Sequence, residues 1–66
     1  MKAKDYLTLK AKFLKIYANI PDRLREEIIV VVNGEPYTWT TATFEIKNDS
    51  ELGKNIIRIL KELQIL

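Results

Sequence analysis

Apolar residues recur at helical spacing along the first third of the chain: Tyr6, Leu9, Phe13, Ile16 or Tyr17, and Ile20. Leu7, Ala11, Leu14 and Ala18 form a second stripe beside the first, and Lys4, Thr8, Lys12, Lys15 and Asn19 line the remainder. A surface helix ordinarily carries an apolar stripe little more than about 100° wide. Two adjoining stripes exceed what one packing contact covers. The pattern therefore predicts a helix over residues 4–18 that is too broadly apolar for a single neighbour. Leu7, Leu9, Ala11 and Phe13 also alternate with Thr8, Lys10 and Lys12, as they would in a strand. Helix is the expectation, because Lys and Ala favour it and the helical pattern runs longer.

Pro21 should end this helix, since the residue before a proline avoids the α region. It also suits the first turn of a new one, so a short helical turn is expected within residues 22–27. Ile28 to Val32 is a continuous β-branched run, which predicts a strand buried on both faces. Asn33-Gly34 follows, and that dipeptide is the strongest local signal for a two-residue type I′ hairpin. The second strand is expected over residues 35–46, with Pro36 at a non-bonded or edge position. A two-residue turn sets Val32 opposite Glu35, Val30 opposite Tyr37 and Ile28 opposite Trp39. A bulge within Thr40–Thr43 would carry Phe44 and Ile46 to the Trp39 face. Asn48 to Glu51 has capping-box spacing. Beyond it, Leu52, Ile56, Ile59, Leu60 and Leu63 make one clean helical stripe, while Lys54, Arg58, Lys61 and Glu62 face water. Gly53 sits beside that stripe, where another backbone could approach closely.

The expected fold is thus α+β, in the order N-terminal helix, short helical turn, β-hairpin and C-terminal helix (α-β-β-α), as a single domain over residues 1–66. A chain of 66 residues buries only about 60% of its unfolded surface. Small folds commonly add disulfides, metals or partner chains. With no Cys and no His, disulfides are excluded and structural zinc has no ligands. An unusually apolar core or self-association remains, and the apolar share of 47% fits either. Two strands alone are marginal in water. Two hairpins paired across a two-fold axis would give four strands and close exposed edges. No leader-like or membrane-length apolar run occurs, so a cytoplasmic location is expected. The many Lys and Glu with few amides would suit a thermophile.

Net charge is only +2, but it is unevenly spread. Residues 1–20 sum to +4, residues 21–45 to −3 and residues 46–66 to +1. Such asymmetry fits a nucleic-acid footprint, two copies meeting head to tail, or no contact at all.

Catalytic chemistry has little to work with. Without His or Cys, the Ser-His-Asp and Cys-His arrangements cannot be built. Glu26 and Glu27 are adjacent and point apart, with Arg23 and Arg25 beside them in a solvated turn. Asp49 and Glu51 lack calcium-loop spacing, and Gly34 and Gly53 make no phosphate loop. No enzyme activity, cofactor or metal is expected. Three apolar faces in so short a chain point instead to protein contacts, with a homodimer expected and a role as accessory or regulatory subunit. The candidate interface residues are Tyr6, Phe13, Tyr17, Tyr37 and Trp39, because aromatics are enriched at binding hot spots. The alternative is a small nucleic-acid-binding protein. Its phosphate contacts would be Lys4, Lys12 and Lys15 on one helix face, with Lys2 nearby. Lys reads base edges less well than Arg, so such binding would be indifferent to sequence. Tyr37 and Trp39 share a hairpin face as a stacking platform would, but the strand is not basic. A winged-helix reading lacks its second full helix before the hairpin.

Overall fold

The computed structural model describes residues 3–66, so Lys2 lies outside the described residues. The chain forms α1 (Ala3–Ala18), a 3₁₀ turn (Asp22–Leu24), β1 (Ile28–Val32), β2 (Glu35–Thr38), α2 (Trp39–Lys47) and α3 (Glu51–Glu62). The α+β class and the helix, turn, hairpin and helix order follow the pattern of the sequence. One element was not expected: residues 39–47 are helix, and the second strand stops at Thr38.

The reason lies at Thr38. Its extended backbone (ψ 173°) starts α2, and its Oγ1 accepts the Thr41 amide at 3.1 Å. The Thr41 hydroxyl accepts in return from the Thr38 amide at 2.8 Å. This reciprocal pair satisfies two donors that a helix start otherwise leaves open. β-branched and aromatic residues prefer strands only weakly, and packing overrides them. Read as a helix, Trp39, Ala42, Thr43 and Ile46 share one face, and the last three are buried. The buried Thr43 hydroxyl returns to the Trp39 carbonyl at 2.7 Å.

The hairpin turn is as expected. Asn33 (φ 52°) and Gly34 (φ 82°) both take positive φ, as a type I′ turn needs. Val32 pairs with Glu35 and Val30 with Tyr37. Ile28, however, pairs with Thr38 rather than Trp39, because a bulge falls between Ile28 and Val30. The irregularity sits in the first strand, not within Thr40–Thr43. Nor is β1 buried on both faces: Val30 and Val32 are buried, whereas Ile28 and Val31 face water. The described sheet has two strands, and helices cover one side of it.

α3 is the centre of the fold and touches α1, α2 and β1. Ile56, Ile57 and Leu60 are fully buried, together with Phe13, Ala42 and Ile46 from the other helices. The buried face is therefore rotated from the expected stripe. It takes in Ile57 and leaves Leu63, at the helix end, exposed. Ser50, not Asn48, caps α3, accepting the Gly53 amide at 3.0 Å. Asn48 instead ends α2, and Asp49 (φ 52°) turns the chain between the helices. Gly53 is buried where the backbones of α2 and α3 meet.

Candidate functional site

The two stripes of α1 have different fates. Tyr6 and Phe13 point into the core, with Leu9 packed beside them. Ala11 and Ala18 are exposed, Leu7 is 62% exposed and Leu14 is half-buried. The excess width read from the sequence is thus real in part: Leu14 packs against the core, and Leu7, Ala11 and Ala18 remain uncovered.

The candidate interface aromatics divide accordingly. Phe13 has no exposed surface and Tyr6 very little. Both belong to the chain's own core, so neither is open to a partner. Phe13 stacks against Trp39 with ring centroids 5.4 Å apart. Trp39 and Tyr37 are half-buried against the same core. Tyr17 is half-buried beneath Arg25, whose guanidinium carbon lies 4.5 Å from the ring centroid. The residues that do offer large apolar surface are Leu7 on α1, Ile28 (61%) and Val31 (59%) on the hairpin, Phe44 (64%) on α2, and Leu63 and Ile65 after α3. Sequence reasoning ranked side chains by aromatic character and passed the aliphatic ones over. The signal that could have found Leu7 and Val31 was the second α1 stripe, together with the alternation inside β1.

Two polar clusters tie the elements together. Asp49 Oδ1 accepts from the Tyr6 hydroxyl at 2.7 Å and from Lys10 Nζ at 2.8 Å. Burial pushes the Tyr6 phenol up to about 12, and the bond to Asp49 and that carboxylate's charge act in the same direction. The hydrogen bond from Lys10, then that from Tyr6, holds the Asp49 carboxyl below its ordinary range. The cluster clasps α1 to the turn between α2 and α3. It also explains Lys10, which rises from within the apolar arc and keeps its ammonium at the edge.

Arg25 forms the second cluster. It pairs with Asp22 at 2.9 Å and donates to the Tyr17 carbonyl at 3.3 Å. Its own carbonyl accepts the Thr40 amide at 3.1 Å. Arg25 therefore joins the end of α1 to the start of α2, a role well beyond that of a solvated turn residue. Glu26 is exposed and accepts from the Thr40 hydroxyl at 3.2 Å.

Lys4, Lys12 and Lys15 are all exposed and, among the described residues, make no ion pair. They run beside the uncovered Leu7, Ala11 and Ala18. Glu26, Glu27 and Glu35 are likewise exposed, and residues 26–38 hold no basic side chain. α1 thus presents a basic flank, whereas Glu26 and Glu27 precede β1 beside Arg23 and Arg25, and Glu35, paired with the buried Val32, lies on the other side of the hairpin from Val31. Among the described residues no cluster of acidic side chains could hold a metal ion. No described helix is long and apolar enough to cross a membrane. Compared with protein-family models, with curated proteins and with solved structures, the chain matches none.

Proposed function

We propose that this chain acts through protein contacts, as a small non-catalytic accessory module that associates with itself. One observation carries the reading. After the core has formed, large apolar side chains still stand in water: Leu7 on α1, Ile28 and Val31 on the hairpin, Phe44 on α2, and Leu63 and Ile65 after α3. Scattered apolar residues on a surface are ordinary. Here so many remain exposed in so short a chain, with Ile28 and Val31 close together on the hairpin, that they exceed scattered exposure, and such apolar surface marks interaction sites. A standard contact covers about 800 Å² per partner, which is modest beside an accessible surface of 4544 Å².

Sedimentation equilibrium over a wide concentration range, at two salt concentrations, tests the reading. Association that persists at the higher salt supports it. A monomer at every concentration overturns it.

A second reading draws on the three α1 lysines that make no ion pair among the described residues. Lys4, Lys12 and Lys15 could contact phosphates without reading sequence. Nucleic-acid retention would then fall by orders of magnitude between low and moderate salt, and exchanging the three lysines for Glu would abolish it.

A further inference from the structure

Four asparagines occur in the chain, and the structure sets one of them apart. The side chain of Asn19 donates to the Lys15 carbonyl at 3.0 Å, that of Asn48 donates to the Phe44 carbonyl at 3.0 Å, and that of Asn55 accepts from Arg58 at 3.4 Å. Each of the three precedes a bulkier residue than glycine, namely Ile20, Asp49 and Ile56. The backbone amides of those residues are occupied as well. Ile20 donates to the Tyr17 carbonyl and Asp49 to the Ile46 carbonyl, both at 3.1 Å. Ile56 lies inside α3, where amides bond to the carbonyl four residues back. Asn33 differs in every respect. Its carboxamide makes no hydrogen bond among the described residues. Gly34 follows it, and a β-carbon built there would meet nothing within 4 Å. The Gly34 amide donates no hydrogen bond among the described residues. Both residues are exposed.

We infer that Asn33 is a site of spontaneous deamidation, with water as the only co-reactant, and that the modification breaks the hairpin turn. The Gly34 amide nitrogen gives its proton to solvent and attacks Cγ of Asn33. The new N–Cγ bond closes a five-membered succinimide. The Cγ–Nδ2 bond breaks, and the amide leaves as ammonia, taking a proton from solvent. Glycine, lacking a β-carbon, offers the least hindrance to this closure. Water then opens the ring at either carbonyl. Cleavage between the nitrogen and Cγ yields aspartate on an unchanged main chain. Cleavage between the nitrogen and the original main-chain carbonyl yields isoaspartate, in which the chain continues through Cγ and gains one carbon. No electron is gained or lost at either stage. The two products differ in what they do to the fold. The turn holds Asn33 at φ 52° and Gly34 at φ 82°, and aspartate tolerates that left-handed region. Isoaspartate lengthens a turn of only two residues, and that turn fixes Val32 opposite Glu35. Val30 and Val32 are buried on the same strand, so a lost register reaches the core. Ring closure also needs freedom at Asn33 that the paired turn restricts, so the reaction runs faster in the unfolded chain and its native rate follows the opening of the turn.

Warm incubation of the full chain at mildly alkaline pH, followed by peptide mapping in a mass spectrometer, tests this. The peptide holding Asn33 should gain one dalton before those holding Asn19, Asn48 or Asn55, and fragmentation should find both aspartate and isoaspartate. The same chain unfolded in urea should convert faster. Molecules carrying isoaspartate, separated by charge and retention, should unfold at a lower urea midpoint than fresh protein. Asn33→Gly keeps a turn that accepts positive φ at both positions and has no amide to lose. It should gain no mass at this site and keep its midpoint through the incubation. Freshly prepared Asn33→Asp carries the charge of the product on an ordinary main chain, and its midpoint should stay close to that of wild type. A second asparagine converting as fast as Asn33 would overturn the assignment. So would a native chain in which Asn33 persists while the urea-unfolded chain converts fully, since the folded turn would then seal the site. An isoaspartate form as stable as fresh protein would overturn the break in the turn. A midpoint that falls equally in incubated Asn33→Gly would overturn it too, because the loss would then arise elsewhere in the chain.

Discussion

The carbonyl of Glu45 lies against the backbone of Gly53, so close that a β-carbon built on Gly53 would sit 2.7 Å from the Glu45 carbonyl carbon and 2.9 Å from the Ile46 Cα. No flexible side chain intervenes to give way. α2 and α3 therefore cross backbone to backbone at this point, and the fully buried Ile46 and Ile56 gather around the same crossing.

Gly53→Ala should accordingly destabilise the fold. Alanine gains about 1 kcal/mol in helix propensity over glycine. Against this stands overpacking with backbone as the obstacle, and forced core insertions cost about 1–3 kcal/mol or more. With backbone as the obstacle the cost lies at the upper end of that range, so the expected net loss is about 2 kcal/mol, read as a lower urea midpoint with an unchanged slope. A midpoint equal to wild type would show that the two helices are not held this close.

The Tyr6–Asp49–Lys10 clasp makes stability depend on pH at both ends of the range. Tyr6 titrates at about 12 in the folded chain, against about 10 when unfolded. Its contribution is complete below pH 10 and is lost as pH rises from about 10 toward 12, because over that window the unfolded state releases a proton that the folded state keeps. Asp49 is shifted the other way. Its contribution is present above the ordinary carboxylate range and is lost as pH falls through it and below. Near-ultraviolet absorbance should show a tyrosine ionisation at about pH 12. Tyr6→Phe should remove that step and flatten the alkaline fall in stability. Asp49→Asn should flatten the acid limb and lower the Tyr6 transition. An alkaline absorbance step that Tyr6→Phe leaves unchanged would sink the assignment.

Core and contact residues should separate cleanly in mutational cost. Phe13 is fully buried against Trp39, and truncating a buried Phe to Ala costs about 3–5 kcal/mol. A domain of this size has little more than about 3–5 kcal/mol to lose. Phe13→Ala should therefore be largely unfolded at room temperature, with red-shifted Trp39 emission. Leu7→Ala removes an exposed side chain, and its stability should stay within about 0.5 kcal/mol of wild type. Its self-association should weaken. If Leu7→Ala unfolds the chain instead, α1 buries both of its stripes internally and the interaction reading loses its main support.

The candidate surfaces were half legible in the sequence. The breadth of the α1 pattern showed that some apolar surface would remain, and the charge asymmetry showed that its flank would be basic. Which stripe would face out was not legible, because both are apolar enough for a core. The choice depends on α3, whose Ile56, Ile57 and Leu60 meet Tyr6 and Phe13 in the core and leave Leu7 outside. Val31 was hidden for a related reason. A run of five β-branched residues reads as buried on both sides, yet a chain of this length provides helices for only one side of its sheet. Local signals with a single geometric solution, such as Asn33-Gly34, were read correctly down to the first two pairs of the register.

The segment from Trp39 to Ile46 was legible as structured but not as helical, and this leads to the sharpest test of local control. As a strand it would alternate and prolong the hairpin. As a helix it buries Ala42, Thr43 and Ile46 together. The Thr38 cap is what the helix has and the strand lacks, since the paired bonds with Thr41 exist only if the backbone turns there. Losing a Thr cap costs about 1 kcal/mol. Thr38→Ala should therefore lower stability by about that amount, and hydrogen exchange should quicken at the Thr41 amide, which loses its acceptor. Thr38→Ser keeps an accepting hydroxyl and should recover most of the loss. Thr38→Val keeps the β-branched shape and strand preference while deleting the acceptor. If the cap sets the boundary, Thr38→Val should behave like alanine, with faster amide exchange at Thr41 than in wild type. If Thr38→Val is as stable as wild type, then burial of Ala42 and Ile46 alone ends the strand, and the cap only follows from it.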